Sequence, residues 1–196
     1  MTLAALAKFY GTDKLSHDYC PLYERHLHEP RSILEIGIAT GASLRMWEAR
    51  FPLARVMGVD VDPTCCHDDV ECHRGDAILA GTYSGWLPDH LGLVVDDGSH
   101  QARDVVETFA LLWWRVAFGG WYVIEDLACV RHPQFGGDEA GGPVLALLDA
   151  LALYAIRGWA ELHVYEEIAF ARRLADPVPS GPRGLPFRAM TSRHET

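Results

Sequence analysis

Four apolar runs, each ending in acidic residues or glycine, constrain the fold of this chain more than any other feature. They are SILEIGIATG, ARVMGVDVDP, LGLVVDDGSH and WYVIEDL, which begin at residues 32, 54, 91 and 121. A short apolar run that stops at turn-forming residues is typical of a strand buried within a sheet. A shorter strand is also predicted over residues 71–77, ahead of a loop. The sequence therefore predicts a sheet built around these five strands.

Helices are predicted between the strands. Apolar periodicity indicates them over residues 42–52, 101–120 and 144–159. Gly119 and Gly120 are expected to close the second of these helices. Residues 160–173 are expected to form a further pair of strands. This alternation predicts an α/β fold, a doubly wound and mostly parallel sheet in a single domain.

Acidic side chains follow four of the predicted strands. In an open parallel sheet, ligands bind beyond the carboxyl ends of the strands. A solvated surface would scatter its acids, whereas here they gather at one edge. The strand ends carry Glu35 with Gly37, Asp60 with Asp62, Asp97 with His100, and Glu125 with Asp126.

The turn EIGIATG, at residues 35–41, has the features of a nucleoside-binding turn. Gly37 would let a ligand approach the backbone, and Ser43 is expected to cap the helix that follows. Asp60 could bind two ribose hydroxyls, and Asp76 could hold an adenine amino group. The glycines could equally serve only to close a turn, and Asp76 could simply cap one.

The spacing of the glycines indicates whether the bound ligand carries a pyrophosphate. A dinucleotide site usually has the pattern GxGxxG, whose second glycine leaves space for a pyrophosphate. This chain has GIATG instead. The pattern therefore favours a nucleoside without a pyrophosphate, and S-adenosylmethionine is the obvious candidate.

The motifs DDGSH and IED indicate a metal site. A right-handed crossover through one helix would bring their strand ends together, with three carboxylates, Asp97, Glu125 and Asp126. Converging carboxylates repel unless a cation lies among them, and Mg²⁺ prefers oxygen ligands. His100 follows Asp97 by three residues and could take a proton near neutral pH. Strand-end caps and a surface histidine are the alternative interpretation.

The motifs FYGTDKLSHDYCPLYERHL, LEIGIATGASLRMW, GVDVDP, VVDDGSH and VIEDL occur in this order between Phe9 and Gly142. Together they resemble one subgroup of the class I S-adenosylmethionine-dependent methyltransferases. The subgroup comprises the metal-dependent sugar O-methyltransferases of macrolide and related antibiotic pathways, of the mycinamicin and spinosyn type. The resemblance implies a Rossmann-like core that methylates a hydroxyl on a glycosylated natural product, a small-molecule acceptor.

The resemblance also implies roles for individual residues. It implies His100 as the general base, and as Mg²⁺ ligands Asp97, Glu125 and Asp126. The predicted contacts to the methyl donor are Lys14, Glu35, Gly37, Ser43, Asp60, Asp76 and Asp96. Two other interpretations stay open, a phenol or catechol as the acceptor, and a non-catalytic nucleoside-binding protein of the same pathway.

The predicted organisation has three parts. Residues 1–30 would form a helical segment that closes over the site, although a packed amphipathic N-terminal helix is an equal alternative. Residues 31–175 would form the methyltransferase core, and residues 176–196 a Pro- and Gly-rich tail. The loop at residues 131–143 is longer than a plain connector and is expected to be an acceptor lid.

The charge and hydropathy of the chain argue against nucleic acid and a membrane as its partners. A formal net charge of −10 argues against nucleic acid, because binding to phosphates needs clustered cations. No run of about 18 apolar residues suggests a membrane span, and no signal peptide is visible. A cytoplasmic location and reduced cysteines are therefore expected. The resemblance to the sugar O-methyltransferases implies a homo-oligomer. The cluster at residues 65–73 lacks the paired spacing of a zinc site.

Overall fold

The computed structural model describes residues 1–66, 69–137 and 142–176. The strands in this part of the chain are β1 (Ser32–Ile36), β2 (Arg55–Asp60), β3 (Cys72–Arg74), β4 (Leu91–Asp96), β5 (Val116–Ile124), β6 (Ala160–Val164) and β7 (Ala169–Arg173). The helices are α1 (Leu3–Tyr10), α2 (Tyr19–His26), α3 (Ala42–Arg50), α4 (Ala102–Leu112) and α5 (Gly142–Ile156).

All seven strands form one sheet in the order β3-β2-β1-β4-β5-β7-β6. The strands β1 to β5 pair in parallel, while β7 runs antiparallel to β5 and β6 antiparallel to β7. One hydrophobic cluster packs α4 and α5 against one face of the sheet, and a second packs α1, α2 and α3 against the other. The doubly wound, mostly parallel α/β fold predicted from the sequence is confirmed.

The strand order fixes where a ligand would bind. The chain runs outward from β1 to β3, then returns to β4 on the other side of β1 and continues to β5. The connections after β1 and β4 therefore lead away from each other, which opens a crevice at the carboxyl ends of these two strands. The acidic strand ends predicted from sequence belong to four adjacent strands around this crevice, β2, β1, β4 and β5.

The predicted helix over residues 101–120 is wrong in its second half. The helix α4 ends at Leu112, a short 3-10 turn follows, and β5 begins at Val116. A bulge separates the pairing of Leu91 with Val116 from that of Leu93 with Trp121. A Cβ on Gly120 would lie 2.7 Å from the Leu91 carbonyl oxygen, so this glycine permits close strand contact and does not cap a helix.

The other predicted segments agree with the structure to different degrees. Residues 1–30 contain α1, a 3-10 turn at Asp13–Leu15, and α2, while their closing over the site stays a prediction. A 3-10 turn at Leu127–Arg131 leads into the predicted lid, and a second at Pro133–Phe135 lies within it. Residues 138–141 of the lid lie outside the described part. The predicted tail also lies outside it, apart from Asp176.

Two further observations bear on the sequence-based expectations. Cys66 and Cys72 form a disulfide, with 5.2 Å between their Cα atoms, whereas reduced cysteines were expected throughout. Cys66 follows the 3-10 turn at Pro63–Cys65 and Cys72 begins β3, and their spacing in the sequence did not indicate that they pair. Among the described residues, no helix combines the length and the apolar character needed to cross a bilayer.

Candidate active site

A cavity of about 210 Å³ lies at the carboxyl ends of β1, β2 and β4. Its lining includes four of the residues predicted to contact the donor: Gly37, Asp60, Asp76 and Asp96. The lining also includes Ser99 and Asp104, whose side chains hydrogen-bond to each other at 2.7 Å. Sequence reasoning gave neither residue a role: Ser99 was passed over within the DDGSH motif, and nothing local in the α4 sequence marks the face that carries Asp104 as the wall of a cavity.

Gly37 occupies a position that only glycine tolerates. Its φ is +76°, and a Cβ there would lie 2.0 Å from the carbonyl oxygen of Asp97. The turn after β1 therefore touches the end of β4 directly. The backbone beside Gly37 stays open toward the cavity, as a nucleoside-binding turn requires.

Asp60 stabilises the same turn. Its Oδ2 accepts hydrogen bonds from the backbone N–H of Ile38 at 2.9 Å and of Ala39 at 3.3 Å. Its Oδ1 accepts one from the N–H of Asp62 at 2.9 Å. Oδ1 accepts one hydrogen bond and keeps further acceptor capacity, so Asp60 could hold the turn and bind a ribose hydroxyl at the same time.

Asp76 and Asp96 lie on the cavity wall in different environments. Asp76 accepts a hydrogen bond from the N–H of Ile78 at 3.2 Å, so it caps a turn as well as lining the cavity. Asp96 is buried and accepts a hydrogen bond from the Tyr122 hydroxyl at 2.8 Å. Burial raises the pKa of Asp96 to about 7.

Glu35, Ser43 and Lys14 lie outside the lining of the cavity. The expectation that Ser43 caps α3 is wrong, because Gly41 is the N-cap residue and Ser43 lies in the first turn. Glu35 is fully buried, and its Oε2 accepts a hydrogen bond from Trp47 Nε1 at 2.9 Å. Glu35 faces the N-terminal segment through its contact with Lys14, while the predicted contacts of Glu35 and Ser43 with the donor stay predictions.

Lys14 lies among the acidic strand ends. Its Nζ is 2.7 Å from Glu125 Oε2, 2.9 Å from Asp97 Oδ2 and 3.0 Å from Glu35 Oε1. Burial alone would lower the pKa of Lys14, but Glu125, Glu35 and Asp97 together raise it well above its ordinary value. Burial also raises the pKa values of Glu35 and Glu125, while Lys14 opposes this shift.

Two tyrosines of α2 hold the acids at the end of β5. The Tyr23 hydroxyl donates a short hydrogen bond to Glu125 Oε1, and the Tyr19 hydroxyl donates to Asp126 Oδ1 at 2.7 Å. The sequence placed both tyrosines in a segment folding over the donor or acceptor, without assigning them partners. In the structure they pack beneath the carboxylates and fix their orientation.

Three predicted residues form a candidate metal site. Among the described residues, the ligand atoms of Asp97, His100 and Asp126 lie within 4.8 Å of one another. Carboxylate oxygens suit a hard divalent ion, so Asp97 and Asp126 fit Mg²⁺, with His100 beside them. Glu125 points instead toward Lys14 and Tyr23, which provide donors to both of its oxygens. A second group of ligand atoms comprises those of His17, Asp126 and Glu167.

The backbone is strained at two of these residues. His100 has a φ of +55° and Asp126 a φ of +56°, values that side chains other than glycine rarely adopt. His100 Nε2 then lies 3.5 Å from Asp126 Oδ2. Strain of this kind concentrates at functional sites, and here it turns both side chains toward the same space.

The strand order and the crevice at the carboxyl ends of β1 and β4 are those of the class I S-adenosylmethionine-dependent methyltransferases. This chain therefore has the Rossmann-like fold of that class. No protein-family model matches the chain. Within the class, the chain resembles the sugar O-methyltransferases of antibiotic pathways, which confirms the resemblance inferred from its motifs.

Two curated relatives show this similarity. The chain is 38% identical over 152 residues to an 8-demethyl-8-(2-methoxy-alpha-L-rhamnosyl)-tetracenomycin-C 3'-O-methyltransferase of Streptomyces olivaceus, covering 69% of this chain and 39% of the relative. It is 32% identical over 222 aligned positions to the mycinamicin VI 2''-O-methyltransferase of Micromonospora griseorubida, covering 94% of this chain and 55% of the relative. The chain thus spans about half the length, or less, of these relatives.

Solved structures agree with the curated relatives. The MycE methyltransferase from the mycinamycin biosynthetic pathway, in complex with Mg and SAH, superimposes with a TM-score of 0.78 at 31% identity. The match covers 92% of this chain and 58% of that one. A second MycE structure, which also contains mycinamycin VI, gives a TM-score of 0.77 at 29% identity.

Proposed function

We propose that this chain transfers a methyl group from S-adenosylmethionine to a hydroxyl on the sugar of a glycosylated natural product, with Mg²⁺ and a histidine base. One observation carries the proposal. The glycine turn that would hold the donor touches the strand end that would hold the metal, because Gly37 packs on the Asp97 backbone. A donor and a metal-oriented hydroxyl would therefore meet between β1 and β4.

The donor would lie in the cavity at the ends of β1, β2 and β4. Gly37 leaves its backbone accessible there, and Asp60 and Asp76 face the space from the next two strands. No lysine or arginine is found among the described lining residues, while four aspartates are. This charge distribution suits a cationic sulfonium and disfavours a polyphosphate.

Asp97 and Asp126 would hold the metal, with Glu125 as the third predicted ligand. Bound Mg²⁺ would supply the positive charge that acidifies and orients an acceptor hydroxyl. His100 is one quarter exposed and has Nε2 beside Asp126, so it can reach solvent and an incoming hydroxyl. We assign His100 the removal of the hydroxyl proton, and Asp126 the orientation of the imidazole ring.

The acceptor class follows from the relatives. Their names specify rhamnosyl tetracenomycin and mycinamicin VI as acceptors, and the MycE complex contains mycinamycin VI. A glycosylated acceptor is therefore favoured over a phenol or catechol. The set of carboxylates with His100 favours an enzyme over a mere nucleoside-binding protein. Assembly into a homo-oligomer stays a prediction.

The direct test is methyl transfer from S-[methyl-³H]adenosylmethionine to a panel of glycosylated macrolides and anthracyclines, with catechol as the alternative acceptor. We expect labelled glycoside with Mg²⁺ and no label with EDTA. In His100→Gln, we expect the rate of methyl transfer to fall by about 100-fold or more. His90→Gln is the matched control, because His90 is exposed and immediately precedes β4, at the edge of the sheet opposite the site. Label transfer that survives EDTA, or a His100→Gln variant as active as wild type, would contradict the proposal.

A further inference from the structure

We propose that Lys14 is a resident cation of the carboxylate site, a positioning residue that holds Asp97 and Glu125 in place beside a single divalent ion. The sequence placed Lys14 at the methyl donor, whereas its contacts in the structure are all with acids. The inference rests on the metal-dependent function proposed above, but its tests measure the lysine and the metal without methyl transfer.

Lys14 contacts acidic side chains from three central strands of the sheet. Its three partners, Glu35, Asp97 and Glu125, come from β1 and from the ends of β4 and β5, which are adjacent strands. The Lys14 side chain is only 1% exposed. One ammonium group thus connects three neighbouring strand ends and ties the segment before α2 to all of them.

The charges explain why the site needs this cation. Four carboxyl groups gather here, those of Glu35, Asp97, Glu125 and Asp126, and Lys14 is their buried basic partner. If all four ionise, Lys14 alone leaves three negative charges, a divalent ion alone leaves two, and the two cations together leave one. An uncompensated charge in a buried site is strongly destabilising, so neither cation suffices alone.

The two cations would occupy different sides of the site. Glu125 receives donors on both oxygens, from Lys14 and from Tyr23. Asp126 faces away from this pair, toward His100. Asp97 contacts Lys14 through Oδ2 and also belongs to the candidate metal site, so it lies between the two cations.

The wild-type chain permits an unusually clean test, since Lys8 and Lys14 are its two lysines. In a ¹⁵N-lysine NMR spectrum, the exposed Lys8 should exchange its ammonium protons rapidly, while Lys14 should give a slowly exchanging signal. Addition of Mg²⁺ should shift the Lys14 signal without removing it, and should leave Lys8 unchanged. A Lys14 signal that behaves like that of Lys8, or that vanishes when Mg²⁺ binds, would overturn the proposal.

Variants provide a second test. In EDTA, Lys14→Met should lower the thermal midpoint by about 5 °C or more, and saturating Mg²⁺ should restore more of that stability than it adds to wild type. Lys14→Arg should retain part of the stability, and the control Lys8→Met all of it. The proposal is wrong if Lys14→Met and Lys8→Met have the same thermal midpoint in EDTA. It is also wrong if Mg²⁺ raises the thermal midpoints of these two variants equally.

These outcomes separate the inference from the proposed function. If Lys14→Met does not fold, the wild-type NMR experiment still decides. A chain that shows the slow Lys14 signal and the Mg²⁺-induced shift, but methylates none of the acceptors, would retain the lysine site and lose the proposed function. If the chain methylates a glycoside while the ammonium protons of Lys14 exchange rapidly, the proposed function stands and the lysine site is wrong.

Discussion

The ammonium nitrogen of Lys14 lies 2.7 Å from Oε2 of Glu125, although 111 residues separate the two in sequence. The contact joins the N-terminal segment to the end of β5. Tyr19 and Tyr23 make the same connection from α2. The first 26 residues are therefore part of the candidate active site, because their side chains hold the acids that would bind the metal.

The packing of the glycine turn predicts a severe effect of Gly37→Ala. The new Cβ would clash with the Asp97 carbonyl oxygen, and the left-handed φ would be strained. We expect a loss of about 2 kcal/mol or more in the free energy of unfolding, measured by urea denaturation. Gly81→Ala is the control, since nothing lies within 4 Å of its Cβ position. Equal stability of the two variants would show that the turn does not pack on β4 in this way.

The hydrogen bond from Tyr19 to Asp126 predicts that Tyr19→Phe weakens metal binding. The change removes the group that orients Asp126, and such supporting contacts typically affect metal affinity by about 10- to 100-fold. Calorimetric titration with Mg²⁺ or Mn²⁺ measures the effect. Tyr10→Phe, in α1, should bind the ion as wild type does. Unchanged affinity in Tyr19→Phe would mean that Asp126 needs no such support.

His26 predicts a dependence of stability on pH. Burial, and then the neighbouring His163 and Arg25, lower the pKa of His26, while Glu161 opposes this shift and the Tyr165 hydroxyl lies 2.8 Å from Nε2. The folded state therefore favours the neutral ring. This contribution to stability is present above the unfolded pKa of about 6.5 and is lost as the pH falls through the lowered pKa.

The corresponding variant is His26→Gln. Between pH 7 and 5, wild type should lose stability more steeply than His26→Gln, by up to about 1.4 kcal/mol per pH unit for one proton. His90→Gln, whose histidine is exposed and is not among the groups that shift the pKa of His26, should follow the wild-type curve. Parallel curves for wild type and His26→Gln in urea denaturation would refute the assignment.

The edge of the sheet was predictable from sequence because its signals are local. Each acidic strand end follows directly on its own apolar run, so Asp60, Asp97 and Asp126 could be placed without knowing the rest of the fold. The single helix between β4 and β5 then predicted that these strands are neighbours or near neighbours, and in the structure they pair directly. The strand order found in the structure agrees with that reasoning.

The contacts within the site were not predictable in the same way. Lys14 meets Asp97 and Glu125, and Tyr19 meets Asp126, across more than 80 residues, and no spacing in the sequence encodes such contacts. The error at residues 113–120 has a different cause. Tertiary pairing with β4 overrides an apolar pattern that local periodicity also allows in a helix.

Binding of S-adenosylmethionine, measured by titration calorimetry, most directly tests whether this crevice is a methyl-donor site. We expect saturable 1:1 binding to wild type. Affinity should fall about 10-fold or more in Asp60→Asn, because the charged acceptor that holds the turn and faces the donor is lost. Asp89→Asn, a change at an exposed surface ion pair, should bind as wild type does. Absence of binding to wild type, or equal affinity in both variants, would contradict the donor site.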